Sequence, residues 1–276
     1  MQGTARYGVW LENKVLQPID EAIETIRLMG YAVVDPGLTS AELAFLREHF
    51  DAIRASENAS PLATLRREAG EGEMLRCPLS HNPAFLKLAA NPVILSICQA
   101  MVGSGFILNQ QNGIVNPAGS LTYSQSPLHR DLPYQHFVSS RPLAINALFC
   151  VDPFTEENGA TWVIPASHKE EAFPSEPIIK AQRRQISAPA GSFLVLDCMV
   201  WHGGGVNRSN RDRRAVNHLY TMAMMRQQID LHSFLGDDFT ADPKLRQLLG
   251  FQHPQPRSAE EYLQFQAAKR AAQRPR

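Results

Sequence analysis

The 276-residue chain has no excess of either charge: 27 basic and 27 acidic residues cancel, so no field recommends a nucleic acid or an anionic membrane as its partner. It has no run approaching the roughly 20 apolar residues that a membrane-spanning helix needs. Its opening residues, Met1-Gln2-Gly3-Thr4-Ala5-Arg6, carry no apolar stretch of the secretory kind. The expectation is a protein of the cytoplasm acting on a small molecule. Cysteine is scarce, and none of Cys77, Cys98, Cys150 and Cys198 forms a Cys-x-x-Cys pair. That excludes a disulfide frame and a thiolate zinc site, and fits reduced, mostly buried thiols. Internal repeats are absent as well.

What is present is enough hydrophobic material, 44% of residues, to bury a substantial core. The chain is expected to form one domain over 1–276, with a core at about 20–225 and a C-terminal helical tail at about 226–276. Helical patterns come first and strand patterns later, which predicts an α+β protein with a mainly β core and helices packed outside it. Ile19 to Met29 has helical apolar spacing and stops at Gly30. Tyr31-Ala32-Val33-Val34 reads as a short strand, and Thr39-Ser40-Ala41-Glu42 as a capping box opening a helix to about Ser56. Residues 57–80 read as a polar, irregular loop. One helix is expected from about Pro83 to Met101, strands from Phe106 onward, and a loop from Asn116 to Pro127. Asn158-Gly159 reads as a turn before a strand from Thr161 to Pro165.

The chemistry concentrates at His129-Arg130-Asp131 and, far downstream, at His202. Two imidazoles and a carboxylate are the donor set of the 2-His-1-carboxylate facial triad, which holds Fe(II) and leaves other coordination positions open. In a strand, His129 and Asp131 at i and i+2 project to one side and can grip one ion together. His202 closes the apolar run Gly191 to Trp201, which reads as a buried strand ending at a flexible Gly203-Gly204-Gly205 turn. Arg213 lies eleven residues beyond His202, just before a further strand expected from Arg214 to roughly Met224. A guanidinium there could clamp a carboxylate through two parallel hydrogen bonds.

Three blocks carry a family resemblance: His129-Arg130-Asp131, the stretch from Glu157-Asn158-Gly159 to Ser167-His168, and His202-Gly203 through Arg213. Together, over roughly residues 20–225, they resemble the phytanoyl-CoA dioxygenase family of Fe(II)- and 2-oxoglutarate-dependent oxygenases. The resemblance implies a double-stranded β-helix, the cupin-like jelly-roll, with iron between its two sheets. It implies His129, Asp131 and His202 as iron ligands, Arg213 as the anchor for the distal carboxylate of 2-oxoglutarate, and Asn116 as a polar contact to the same co-substrate. At Gly204 the chain departs from the family, where a serine often adds a hydrogen bond to that carboxylate.

The activity implied is a dioxygenase reaction consuming O₂ and 2-oxoglutarate, releasing succinate and CO₂, and hydroxylating a C–H bond. Halogenating relatives have a small residue at the position of Asp131, so its presence favours hydroxylation. Desaturation, epimerisation and ring closure remain open, as does a non-catalytic jelly-roll that binds a ligand or senses metal. Around the triad, Arg130, Tyr134, Gln135, His136 and Arg141 mix cationic, hydroxyl and amide groups. That mixture suits a polar small molecule, anionic ones included, better than a bare alkyl chain. His168 and His218 lie near the motifs too, but an isolated histidine is more often a satisfied core residue than a substrate contact.

Overall fold

A computed structural model describes residues 12–132, 135–252 and 255–272. The first helix, α1 (Pro18–Met29), buries Ile26 and ends where Gly30 turns left-handed (φ 87°) and returns its N–H to the Ile26 carbonyl at 2.8 Å. Glycine takes that backbone without steric cost. After β1 (Tyr31–Val34), the capping box forms as expected: Thr39 Oγ1 accepts from the Glu42 N–H (3.2 Å) and the Glu42 carboxylate accepts from the Thr39 N–H (2.9 Å). It opens α2 (Ser40–Ala59), whose Leu46, Phe50 and Ile53 face the core at helical spacing.

The supposed loop at 57–80 contains a short helix, α3 (Ala63–Glu68), and a strand, β2 (Met74–Arg76), paired with β3 (Phe106–Asn116) at the edge of the main sheet. Two apolar residues in a charged stretch were too short a pattern to announce a strand. The expected helix from Pro83 to Met101 is two, α4 (Pro83–Ala89) and α5 (Pro92–Met101). Asn91 ends one and caps the other, its Oδ1 accepting from the N–H groups of Val93 and Ile94, and Pro92 has no N–H with which to continue the first. No single helix among the described residues is long and apolar enough to cross a membrane. The bent pair α4–α5 has the composition, but its Phe85, Leu88, Ile94 and Ile97 are buried in the protein core.

The remaining strands are β4 (Ala144–Cys150), β5 (Trp162–Val163), β6 (Arg184–Gln185), β7 (Phe193–Asp197), β8 (His202–Gly203) and β9 (Arg213–Met222). Six strands pair antiparallel in the order β1-β7-β4-β9-β3-β2, and a smaller sheet runs β6-β5-β8. Because side chains alternate along a strand, the large sheet has two apolar faces. Ile145, Phe149, Val195 and Val216 pack under the helices against Phe50, Ile94 and Ile97. Ile114, Leu148, Leu196 and Ala215 pack with Val163 of the small sheet and with Phe154 and Ala160 beside it. Each fully buried phenylalanine, such as Phe50 or Phe149, stabilises the fold by roughly 1.5–3 kcal/mol. This is the two-sheet jelly-roll expected, an α+β protein with a β core.

Two boundaries differ from expectation in ways that matter for the site. The apolar run 191–201 does not continue as one strand. At Asp197 the side chain accepts from the Met199 N–H (2.9 Å) and the carbonyl from the Val200 N–H (3.0 Å), making a turn. The chain thereby crosses from β7 in the large sheet to β8 in the small one, which carries His202 across the cavity. The C-terminal segment beyond 225 divides as well: Leu231, Leu248, Leu249 and Phe251 belong to the main core, while a later helix, α6 (Ala259–Ala272), is exposed along most of its length. The four cysteines are free and buried.

Candidate metal centre

His129 and His202 meet across a single bridge between the segment entering the motif and β8: each backbone N–H donates to the other's carbonyl, at 2.8 and 3.0 Å. Asp131 is held next to them by its N–H on the Cys198 carbonyl (3.0 Å). One ligand atom from each of His129, Asp131 and His202 can be chosen so that all lie within 4.8 Å of one another. The imidazole rings are 4.5 Å apart, and His202 Nε2 is 3.7 Å from Asp131 Oδ1.

Both histidines have their tautomer set by the main chain. His129 Nδ1 lies 2.8 Å from the Pro127 carbonyl and His202 Nδ1 lies 3.0 Å from that of Val200. A carbonyl only accepts, so each Nδ1 carries the proton and each Nε2 presents a lone pair. Burial holds the His202 pKa below its ordinary value, which favours the neutral, ligating form. Asp131 Oδ2 accepts from the Asn146 amide (3.0 Å), leaving Oδ1 on the histidine side. Two imidazole nitrogens and one carboxylate oxygen, each oriented by an outer partner, fit a ferrous ion.

Arg213 lines the same cavity as the three ligands. It is 2% exposed and its guanidinium lies 4.1 Å above the Phe154 ring, yet only Nη2 has a partner, the Tyr123 hydroxyl at 3.0 Å. Nε and Nη1 are buried without an acceptor, and among the described residues no carboxylate lies within ion-pair distance. An unpaired buried cation is costly, and an anion entering the cavity would find two free donors on it. The neighbouring Arg214 points out of the cavity and pairs with Asp152 and Asp51.

The family model for phytanoyl-CoA dioxygenase matches residues 26–215. The chain belongs to the phytanoyl-CoA dioxygenase family. An uncharacterised protein of Mycobacterium tuberculosis is 32% identical over 254 residues, covering 89% of this chain and 92% of the relative. A dioxygenase of Aspergillus fumigatus is 27% identical over 177 residues, covering 60% and 54%. Among solved structures, EctD from S. alaskensis with 2-oxoglutarate and 5-hydroxyectoine superposes with a TM-score of 0.65 at 18% identity, covering 80% of this chain and 81% of that one. HygX from Streptomyces hygroscopicus with nickel and 2-oxoglutarate gives 0.60 at 16%, covering 83% and 95%.

In this member of the phytanoyl-CoA dioxygenase family, the remaining candidates among the described residues lie outside the cavity lining. Asn116 is fully buried opposite Arg213 in the β3–β9 register, but its amide donates to the Gly205 carbonyl (2.9 Å) and its Oδ1 has no partner. Arg130 is 2% exposed: it stacks on Trp201 at 4.5 Å and donates to the backbone carbonyls of Gln135, Ser167, Glu170 and Glu171. Gln135 is engaged with the backbone of Arg130 and Leu132. His136 is exposed, its Nδ1 3.1 Å from the Glu171 carbonyl, and Arg141 is exposed too. Tyr134 lies outside the described residues. His168 and His218 are buried, with ring nitrogens on the carbonyls of Arg27 and Ala147, and neither lines the cavity.

Three cavity residues escaped the sequence reading. Asn146 and Asn217 line it from β4 and β9, and each has a buried carbonyl oxygen without a partner; Gln125 joins them from the loop before the motif. A polar residue in the otherwise apolar Ala144–Cys150 strand was the available signal for Asn146. For Asn217 the signal was its place four residues after Arg213, on the same strand face.

Proposed function

We propose that this chain is a non-haem Fe(II)- and 2-oxoglutarate-dependent dioxygenase that hydroxylates a C–H bond of a polar small molecule. The observation that carries the reading is the joint lining of one cavity by three free ligand atoms and by a buried arginine with two unpartnered nitrogens. His129, Asp131 and His202 hold the iron, and Arg213 holds the distal carboxylate of 2-oxoglutarate. Iron and co-substrate supply the activation of O₂ and the oxidising power: one O₂ and one 2-oxoglutarate give succinate, CO₂ and one hydroxyl on the substrate.

The chain's own residues bind, orient and exclude. Asn146 keeps Asp131 turned so that one oxygen stays available. Phe154 beneath Arg213 and the apolar wall of Ile114, Leu148 and Ala215 limit water around the anion, which strengthens its charge-assisted hydrogen bonds. The unpartnered Asn146 and Asn217 carbonyls, with Gln125, offer hydrogen bonds to substrate hydroxyl or amino groups. His136 and Arg141, both exposed, offer hydrogen-bond donors to an anionic substituent. Arg130 and Gln135 tie the loop after the ligands to segment 167–171 and so position the ligands.

The test is succinate release from Fe(II)-loaded protein given 2-oxoglutarate and O₂, with and without pools of metabolites carrying carboxylate, phosphonate, amino-acid or sugar groups. Succinate stimulated by one pool, matched mole for mole by a product heavier by one oxygen, is the expected result. Stimulated succinate with no oxygen added to the substrate would replace hydroxylation by desaturation, epimerisation or ring closure. Iron and 2-oxoglutarate binding that no pool ever converts into turnover would favour a ligand-binding role.

A further inference from the structure

Three consecutive glycines follow the last metal ligand, and none adopts the left-handed backbone that glycine alone favours. Each is instead a close approach. A Cβ on Gly203 would sit 2.8 Å from the Ser126 carbonyl, and one on Gly205 would sit 2.6 Å from that of Ala160. A Cβ on Gly204 would run into the ring and hydroxyl of Tyr123. The tyrosine therefore occupies the volume into which a side chain at position 204 would extend, in the wall of the cavity that Arg213 lines.

The position of Tyr123 is fixed by the backbone that delivers the first ligand. Its N–H donates to Ser126 Oγ (2.9 Å), the Ser126 N–H donates back to the Tyr123 carbonyl (2.9 Å), and the Gly204 N–H donates to the Gln125 carbonyl (2.7 Å). The phenol accepts from Arg213 Nη2, so its own proton remains for another acceptor. A phenol O–H and the unpartnered N–H groups of Nε and Nη1 thus lie on one cavity, and among the described residues no carboxylate pairs with that guanidinium.

We infer that Tyr123, seated in the space Gly204 leaves open, donates the third hydrogen bond to the distal carboxylate of 2-oxoglutarate beside Arg213. The inference rests on the co-substrate reading above and names a residue that reading does not need. It is tested on the full chain loaded with Ni(II), which binds without turnover, by calorimetric titration with 2-oxoglutarate and with 2-oxobutyrate, a 2-oxo acid lacking the distal carboxylate.

Tyr123→Phe keeps the ring and removes only the hydroxyl. It is expected to weaken 2-oxoglutarate about tenfold, the value of one hydrogen bond to a charged acceptor. Binding of 2-oxobutyrate and Ni(II) content should stay as in the parent protein, while the ligand-free melting temperature falls with the loss of the hydrogen bond from Arg213. Equal 2-oxoglutarate affinity in Tyr123→Phe and parent would overturn the inference, and so would equal weakening of both acids. If the parent binds 2-oxoglutarate and Arg213→Met does not, the co-substrate reading stands whatever Tyr123→Phe does. If the Ni(II)-loaded parent fails to bind 2-oxoglutarate, both fall.

Discussion

Replacing Arg213 by methionine should make the ligand-free protein no less stable while destroying its affinity for 2-oxoglutarate. Burying a guanidinium costs several kcal/mol. Against this stand one charge-assisted hydrogen bond, to Tyr123, of about 1.5–3 kcal/mol, and the Phe154 contact, worth about 2 kcal/mol when desolvated. Methionine has similar reach and no charge to desolvate, so the balance favours it by about 1 kcal/mol, or about 2–4 °C in Tm for a chain of this size class. With metal and co-substrate present the order reverses. The free nitrogens of Arg213 offer two charge-assisted hydrogen bonds, whose loss weakens 2-oxoglutarate by about 100- to 1000-fold. The parent gains about 2.7 kcal/mol at a ligand concentration of 100 Kd, and the variant gains almost nothing. Thermal melting of both proteins, loaded with Ni(II) and scanned with and without 2-oxoglutarate, reads the crossing directly. A variant that melts several degrees lower without ligand, or that gains as much from 2-oxoglutarate as the parent, would refute the reasoning.

Asn146→Ala removes the amide that steadies Asp131 and should weaken metal binding about 10- to 100-fold; an unchanged affinity in competition with a fluorescent chelator would make that hydrogen bond incidental. Arg130→Met leaves the buried Ser167 carbonyl and the half-buried Glu170 carbonyl without their donor and should cost about 2–3 kcal/mol of stability, with the substrate KM unchanged. A raised KM at an unchanged melting temperature would instead make Arg130 a substrate contact. Burial pushes His168 and His218 down to about 4, below the usual value near 6.5. The unfolded chain therefore binds protons that the native one refuses, and stability is lost as pH falls from about 6.5 to 4, by up to about 1.4 kcal/mol per pH unit for each histidine. Asp197, pushed up to about 6 by burial, has the opposite sign and offsets one of them below pH 6. His218→Gln, which can still donate to Ala147 and accept from Gln111, should remove about one proton from acid-linked unfolding, as a pH series of denaturant titrations would show.

The triad was legible because its chemistry is local: His129 and Asp131 are two residues apart, and His202 closes an apolar run before glycines. The first helix, its glycine stop and the Thr39 capping box were legible for the same reason, since each is decided by residues within one turn of chain. What escaped was decided by distant contacts. The stretch 191–201 is apolar apart from Ser192 and Asp197, and one acid in such a run was too short a signal for the turn that carries His202 into the second sheet. Arg130 read as a pocket cation because the carbonyls that surround it come from segment 167–171. The three glycines read as a flexible turn, whereas Gly203, Gly204 and Gly205 each make room for a neighbour from another part of the chain. Asn217 lay hidden in a β-branched and aromatic strand whose inward face becomes meaningful only once Arg213 is placed on it.

The most direct test of the account is anaerobic visible absorption of the Fe(II)-loaded protein titrated with 2-oxoglutarate. A 2-oxo acid chelating ferrous iron produces a charge-transfer band that neither component has alone. The account predicts that the band grows to saturation at one 2-oxoglutarate per iron in the parent protein and is missing in Asp131→Ala and His202→Ala, which stay folded by circular dichroism. Stoichiometric iron without a 2-oxoglutarate-dependent band, or a band that survives in both variants, would contradict it.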